Sequence, residues 1–197
     1  MCALGRVLIL FGILAAIAFI LYANQYSIEA TVWHWRHGYA ATIGGYEIPV
    51  PGHWLVLTEN STNLTLANIA PVRHQSDGKL HTATVIDVDV YLHLHQSGEH
   101  AATAGWLESW VTREQQRLAS EKVESAEEKT LKFGNEPIIC IGGKELTAML
   151  HDKPNLPEMD IISLNCMSEG GLNVRFVGEP SDVQPFCTFV SQIRRRS

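Results

Sequence analysis

Cysteine is scarce in this chain, with four among 197 residues at positions 2, 140, 166 and 187. No C-x2-C pair occurs and the cysteine spacings match no zinc pattern, which argues against the usual structural zinc frameworks. A G-x-S-x-G elbow and a C-G-x-C-W context are also missing, and Gly142-Gly143-Lys144 lacks the spacing of a phosphate-cradling loop. Basic residues are few, 15 Lys and Arg against 21 Asp and Glu. An acidic surface argues against nucleic acid as a partner. The one basic cluster, Arg194-Arg195-Arg196, is expected to complete the dipole of a C-terminal helix, with a lipid or nucleic-acid contact as the alternative. No internal repeat or low-complexity tract is present.

What the chain does have is a continuous apolar run from Val7 to Ala23, VLILFGILAAIAFILYA. As a helix it reaches the lower limit for spanning about 30 Å of hydrocarbon. Cys2 to Leu4 can lengthen it while Arg6 snorkels toward the headgroups. A cleaved signal peptide is the rival reading. It calls for small residues before the cut, whereas Leu21 lies three positions before a cut after Ala23. An uncleaved signal-anchor is therefore expected. Arg6 and the free amine precede the run and no Lys or Arg follows until Arg36. This bias keeps residues 1–6 in the cytoplasm and puts 24–197 on the outer side of the inner membrane, which is the periplasm if the source is a Gram-negative bacterium.

Residues 24–43 form an aromatic juxtamembrane linker holding Trp33, Trp35 and Tyr39. These rings either sit at headgroup depth or pack onto the domain. The domain itself is expected to span 44–197. Tyr46 to Val50 is read as a short edge strand, because Pro49 removes a ladder donor. A Pro51-Gly52 turn then starts a second strand at Trp54, and a third runs from Leu64 to Ile69. Asn60-Ser61-Thr62 and Asn63-Leu64-Thr65 match the glycosylation pattern, which matters only in a eukaryotic secretory pathway.

His81 to His95 is the clearest strand, with apolar positions alternating with polar ones at period two. Ala101 to Ser120 has helical spacing and places Trp106, Leu107, Trp110, Val111 and Leu118 on one side. Three strands follow at 129–133, 137–150 and 159–167, the last two joined by the loop 151–158. Gly142-Gly143 inside a strand signals a bulge or a close backbone approach. Leu172 to Val177 alternates again. A final helix, capped by Ser181 or Asp182, carries Val183, Phe186, Cys187, Val190 and Ile193 at core-facing spacing. Strands, helix, strands, helix, linked largely by hairpin-length turns, predict an α+β fold with a mainly antiparallel sheet carrying a mid-chain and a C-terminal helix.

Outside the cytoplasm, one disulfide and one buried thiol are expected from Cys140, Cys166 and Cys187. Cys140 and Cys166 fall on strands expected to be neighbours, which favours that bridge. Cys166–Cys187 is the alternative.

Ile48-Pro49-Val50-Pro51-Gly52-His53-Trp54 resembles the opening "strand, Pro, small residue, Trp" of the PsbP-like α/β/α sandwich family. The Trp-rich helix at 101–120 and Val174-Arg175-Phe176-Val177-Gly178 before the closing helix extend the likeness over about residues 44–195. The resemblance implies that fold. Members of the family mostly serve as assembly or binding modules, and no functional residue carries across.

The sharpest candidate for chemistry is the polar side of the long strand, with Asp87, Asp89, His93 and His95. His93-x-His95 places two imidazoles on one side, about 6.7 Å apart along the chain, where zinc or copper can be gripped. Asp87 and His95 are about 27 Å apart in an extended strand, so the four cannot share one ion. His34-x-x-His37 is a second pair if helical, with an interfacial spacer as the plainer reading. Cys140 or Cys166 with a histidine could form a dyad only by meeting in space, and both sit in apolar strands where structural roles are commoner. The expectation is a non-enzymatic binding or assembly module with no cofactor, partnered by an envelope protein or small ligand. A metal-binding or enzymatic domain using His93 and His95 is the alternative.

Overall fold

The computed structural model describes residues 3–68, 84–91, 105–120, 124–134, 136–145 and 161–196. The apolar run lies within helix α1, Ala3–Ala23, and a single residue, Asn24, separates it from helix α2, Gln25–His37. Counting the residues whose side chains are described, no single helix is long and apolar enough to cross a membrane. Gly12–Tyr22 and Gln25–His37 satisfy that test together as a pair bent by 66°. At the bend, the side-chain amide and the backbone N–H of Asn24 both donate to the Ile20 carbonyl, at 2.8 and 3.1 Å.

The expected opening of the domain at Gly44-Gly45 is instead the turn of a hairpin. Strand β1, Ala40–Ile43, pairs with β2, Tyr46–Pro49. Both turn glycines have positive φ, 51° and 85°, as a two-residue hairpin turn of matching twist requires. The folded unit thus takes in residues that the sequence assigned to the linker. Nor is β2 an edge. It lies between β1 and β10, Arg194–Arg195, in a three-stranded sheet. Pro49 is tolerated because β10 pairs only with Glu47 and Tyr46, at the other end of β2. The arginine tail is therefore a strand, not a helix end. The Arg196 N–H extends the pairing to the Gly45 carbonyl at 2.8 Å.

The second sheet has seven strands in the order β3-β4-β5-β9-β8-β7-β6, antiparallel throughout. They are β3 Leu55–Glu59, β4 Asn63–Asn68, β5 Thr84–Val90, β6 Glu124–Phe133, β7 Glu136–Glu145, β8 Ile161–Ser168 and β9 Leu172–Gly178. Helix α3, Trp106–Ser120, precedes β6, and helix α4, Val183–Gln192, follows β9 through a 3-10 turn at Pro180–Asp182. The architecture is α+β and mainly antiparallel, as the element order foretold. β6 begins five residues earlier than the expected Lys129.

One face of the large sheet carries the core. Leu64, Leu66, Ile86, Val88, Leu172, Val174 and Phe176 are buried there beneath Phe186 and Val190 of α4 and Ile43, Tyr46 and Ile48 of the hairpin. Phe176 and Phe186 rings meet at 4.8 Å. The other face carries α3, whose Leu118 is buried and which contacts β6 and β7. Gly142 marks both features that the sequence signalled. A Cβ on it would lie 1.9 Å from the Ser163 carbonyl oxygen, and β6 bulges opposite it, between Glu124 and Glu127.

Cys140 and Cys166 are direct cross-strand partners of β7 and β8 and are bridged by a disulfide on the core face. Cys187 is free, and it is half-buried where a fully buried thiol was expected. Its Sγ lies 3.9 Å from Lys129 Nζ, because α4 packs along the β6 edge.

Candidate functional site

A cavity of about 420 Å³ opens where α4 leans over the ends of β4, β5 and β9. Its apolar lining includes Trp54, Ile86, Phe176, Phe186 and Phe189, all of them buried core residues. Trp54 is placed by the Pro51–Gly52 turn, where its N–H donates to the Pro51 carbonyl at 2.9 Å. The exposed His53, Pro185, Thr188 and Gln192 are the polar and outer part of the wall.

Polar side chains of Asn68, Thr84 and Asp182 interrupt the apolar wall. Thr84 is buried at the start of β5, and its hydroxyl donates a hydrogen bond to the carboxylate of Asp182. Asp182 stands at the N-cap position of α4 but makes no capping bond, as neither it nor Ser181 closes the helix in the expected way. Its carboxylate faces the cavity wall instead. The result is a largely apolar hollow with one anchored acidic group, the composition usual for a small-molecule or side-chain pocket.

The polar face of β5 lies on the opposite side of the sheet. Asp89 accepts from the Asn63 amide at 2.7 Å and from the Arg175 guanidinium at 3.0 Å. Asn173, nearly fully buried, donates to Asn165 at 2.7 Å and to the Cys166 carbonyl at 2.9 Å. Asp87 and Arg175 line a second hollow with Glu114 and Arg117 of α3, which are ion-paired at 2.7 Å. Of the aspartates singled out from sequence, Asp89 thus meets a cation and an amide, and Asp87 stands opposite Arg175 in the ladder. His93 and His95 lie outside the described residues. Among the described residues no cluster of three or more His, Cys, Asp or Glu could hold a metal ion.

The His34–His37 pair is helical, yet both His34 nitrogens and one of His37 are already engaged. His34 Nδ1 lies 2.8 Å from the Gly38 carbonyl oxygen and Nε2 3.0 Å from that of Pro51, while His37 Nδ1 lies 3.0 Å from the Trp33 carbonyl. Trp33 packs on the core and donates to Glu59 at 3.0 Å, whereas Trp35 is exposed. The Asn60 side chain accepts from the N–H groups of Thr62 and Asn63, both at 2.9 Å, closing the β3–β4 turn.

Tyr46 closes the far end of the core, where its hydroxyl donates to the Gly170 carbonyl at 3.2 Å. Burial raises its pKa above the usual tyrosine value and the Glu136 carboxylate adds to this, while Arg195 and the Ser168 hydroxyl oppose it. The cavity was missed by sequence reasoning. Phe189 and Trp54 carried a signal, as helix-face and turn aromatics, but nothing showed that their sides left space. No protein-family model matches the chain, and no curated protein matches it either.

Proposed function

We propose that this chain is a signal-anchored, single-pass protein of the inner membrane whose α+β domain acts outside the cytoplasm as a non-enzymatic binding or assembly module. The observation that carries the binding part is the apolar cavity between α4 and the sheet, in which Asp182 is the one acidic group among the described residues. An apolar side chain of an envelope protein, or a small apolar molecule bearing one donor, has the chemistry to enter it. The anchor reading is supported by the seventeen-residue apolar run inside α1 and by the charge asymmetry across it. A PsbP-like sandwich belongs to the same proposal. It is supported by α3 and α4 lying on opposite faces of one antiparallel sheet.

The test is a photo-crosslinking amino acid placed at Thr188, on the cavity wall, in cells expressing the full chain, with a control at Gln116 on the exposed side of α3. A discrete adduct formed only from position 188 is expected. The same smear of neighbours from both positions would remove the binding role. Retention of the chain in membranes after alkaline carbonate washing checks the anchor separately.

A further inference from the structure

Helix α2 is apolar on two opposite sides. Ala30 and Trp33 recur at i and i+3; Ala30 is buried, Trp33 packs against the core, and Trp33 and His34 hold Glu59 and the Pro51 carbonyl. Ile28, Val32 and Trp35 recur at i, i+4 and i+7 on the other side, and all three are exposed. Just past the helix end, the Tyr39 ring is also largely exposed, with one side stacked on His34. Trp35 is 85% exposed and Tyr39 72%, far beyond what ordinary core-directed aromatics show.

We infer that this outer stripe of α2 lies on the lipid surface and fixes the orientation of the domain against the membrane. The inference rests on the anchor reading of α1 proposed above. Three observations select lipid as the occupant. The stripe continues, across the single residue Asn24, from a helix whose described apolar side chains, Ile13 to Tyr22, are largely exposed. The 66° bend turns α2 nearer to the bilayer plane than to its normal when α1 stands upright. Glu29, His34, Arg36 and His37 together with the domain contacts keep α2 out of the hydrocarbon, while Trp and Tyr are the side chains that favour the headgroup boundary. Because the inner side of α2 is tied to the domain through Trp33 and His34, seating the outer side sets the tilt of everything that follows.

The experiment uses the full chain in vesicles of phosphatidylcholine and phosphatidylglycerol, with and without bromine near the headgroup end of the acyl chains. Bromine quenches tryptophan at contact depth. The wild type is expected to lose emission in brominated vesicles, and Trp35→Phe, which alters only an exposed ring, is expected to abolish most of that loss. Val32→Glu should weaken the quenching while leaving near-ultraviolet circular dichroism unchanged. Equal quenching of wild type and Trp35→Phe would overturn the inference, as would a photo-crosslinker at position 35 that joins a second copy or another protein instead of lipid. Carbonate extraction separates the two readings. A chain released from the vesicles defeats the anchor, whereas a retained chain with Trp35 unquenched defeats only the interfacial stripe.

Discussion

The two faces of the seven-stranded sheet differ by a single step of register. One cross-strand row runs Leu64, Val88, Val174, Cys166, Cys140, and every member is buried. The next row runs Thr65, Asp87, Arg175, Asn165, Ile141, and turns polar over the middle of the sheet. Both rows come from the same strands with the same backbone ladders. The comparison teaches that pairing register separates core from solvent face, since side chains alternate and a slip of one residue would exchange the two sets. It also assigns different energetics to each face. The core face is held by burial and a covalent bridge, the other by partly hydrated polar pairs.

The largest difference should come from breaking the core side. Phe186→Ala removes a ring packed between Phe176 and Phe189 and is expected to lower stability by about 3–5 kcal/mol, read as a shift of the urea midpoint. Replacing Cys140 and Cys166 together by Ala releases a loop of 26 residues in sequence and should lower stability by roughly 3 kcal/mol against the oxidised protein.

Tyr46→Phe sharpens the comparison at the end of the core. The folded pKa of Tyr46 lies above its unfolded value, so its contribution is complete below about pH 10 and lost as pH rises through the folded pKa. Wild-type stability should therefore fall in alkali more steeply than that of the Phe variant, in urea titrations at stepped pH. At neutral pH the variant should differ by only about 1 kcal/mol, for the lost bond to Gly170. The smallest effect belongs to the solvent face. Arg175→Ala breaks a half-exposed pair with Asp89 and should change the stability by less than about 1 kcal/mol. An Arg175 effect as large as that of Phe186 would end the distinction between the faces.

Much of this fold was legible in the residues because period-two alternation is a local signal. Val85 to Val90, Leu172 to Val177 and the face of α4 needed no knowledge of partners. The Cys140–Cys166 bridge was legible because both positions sit on adjacent strands of a meander. The hairpin of β1 and β2 was half hidden, since Ala40 to Ile43 is too short to alternate convincingly. The Arg194–Arg195 strand left no local trace at all, because it is a strand only by virtue of β2. The candidate site was less legible still. Asp87 and Asp89 announced a polar face, but the pairing of Asp89 with Arg175 and Asn63 depends on register, and the cavity under α4 depends on how rings from three separate segments fail to fill one corner.

The placing of β2 between β1 and β10 has a consequence for how the molecule is made. β1 is adjacent to β2 in sequence and can zip onto it through a two-residue turn as soon as both are synthesised. The other margin of β2 must wait for residues almost 150 positions later. Until then its amides and carbonyls stand open on a nascent chain, beside a half-built core. Completion of the small sheet is thus a closing event, in which a late segment returns to the neighbourhood of the earliest strand and seals it.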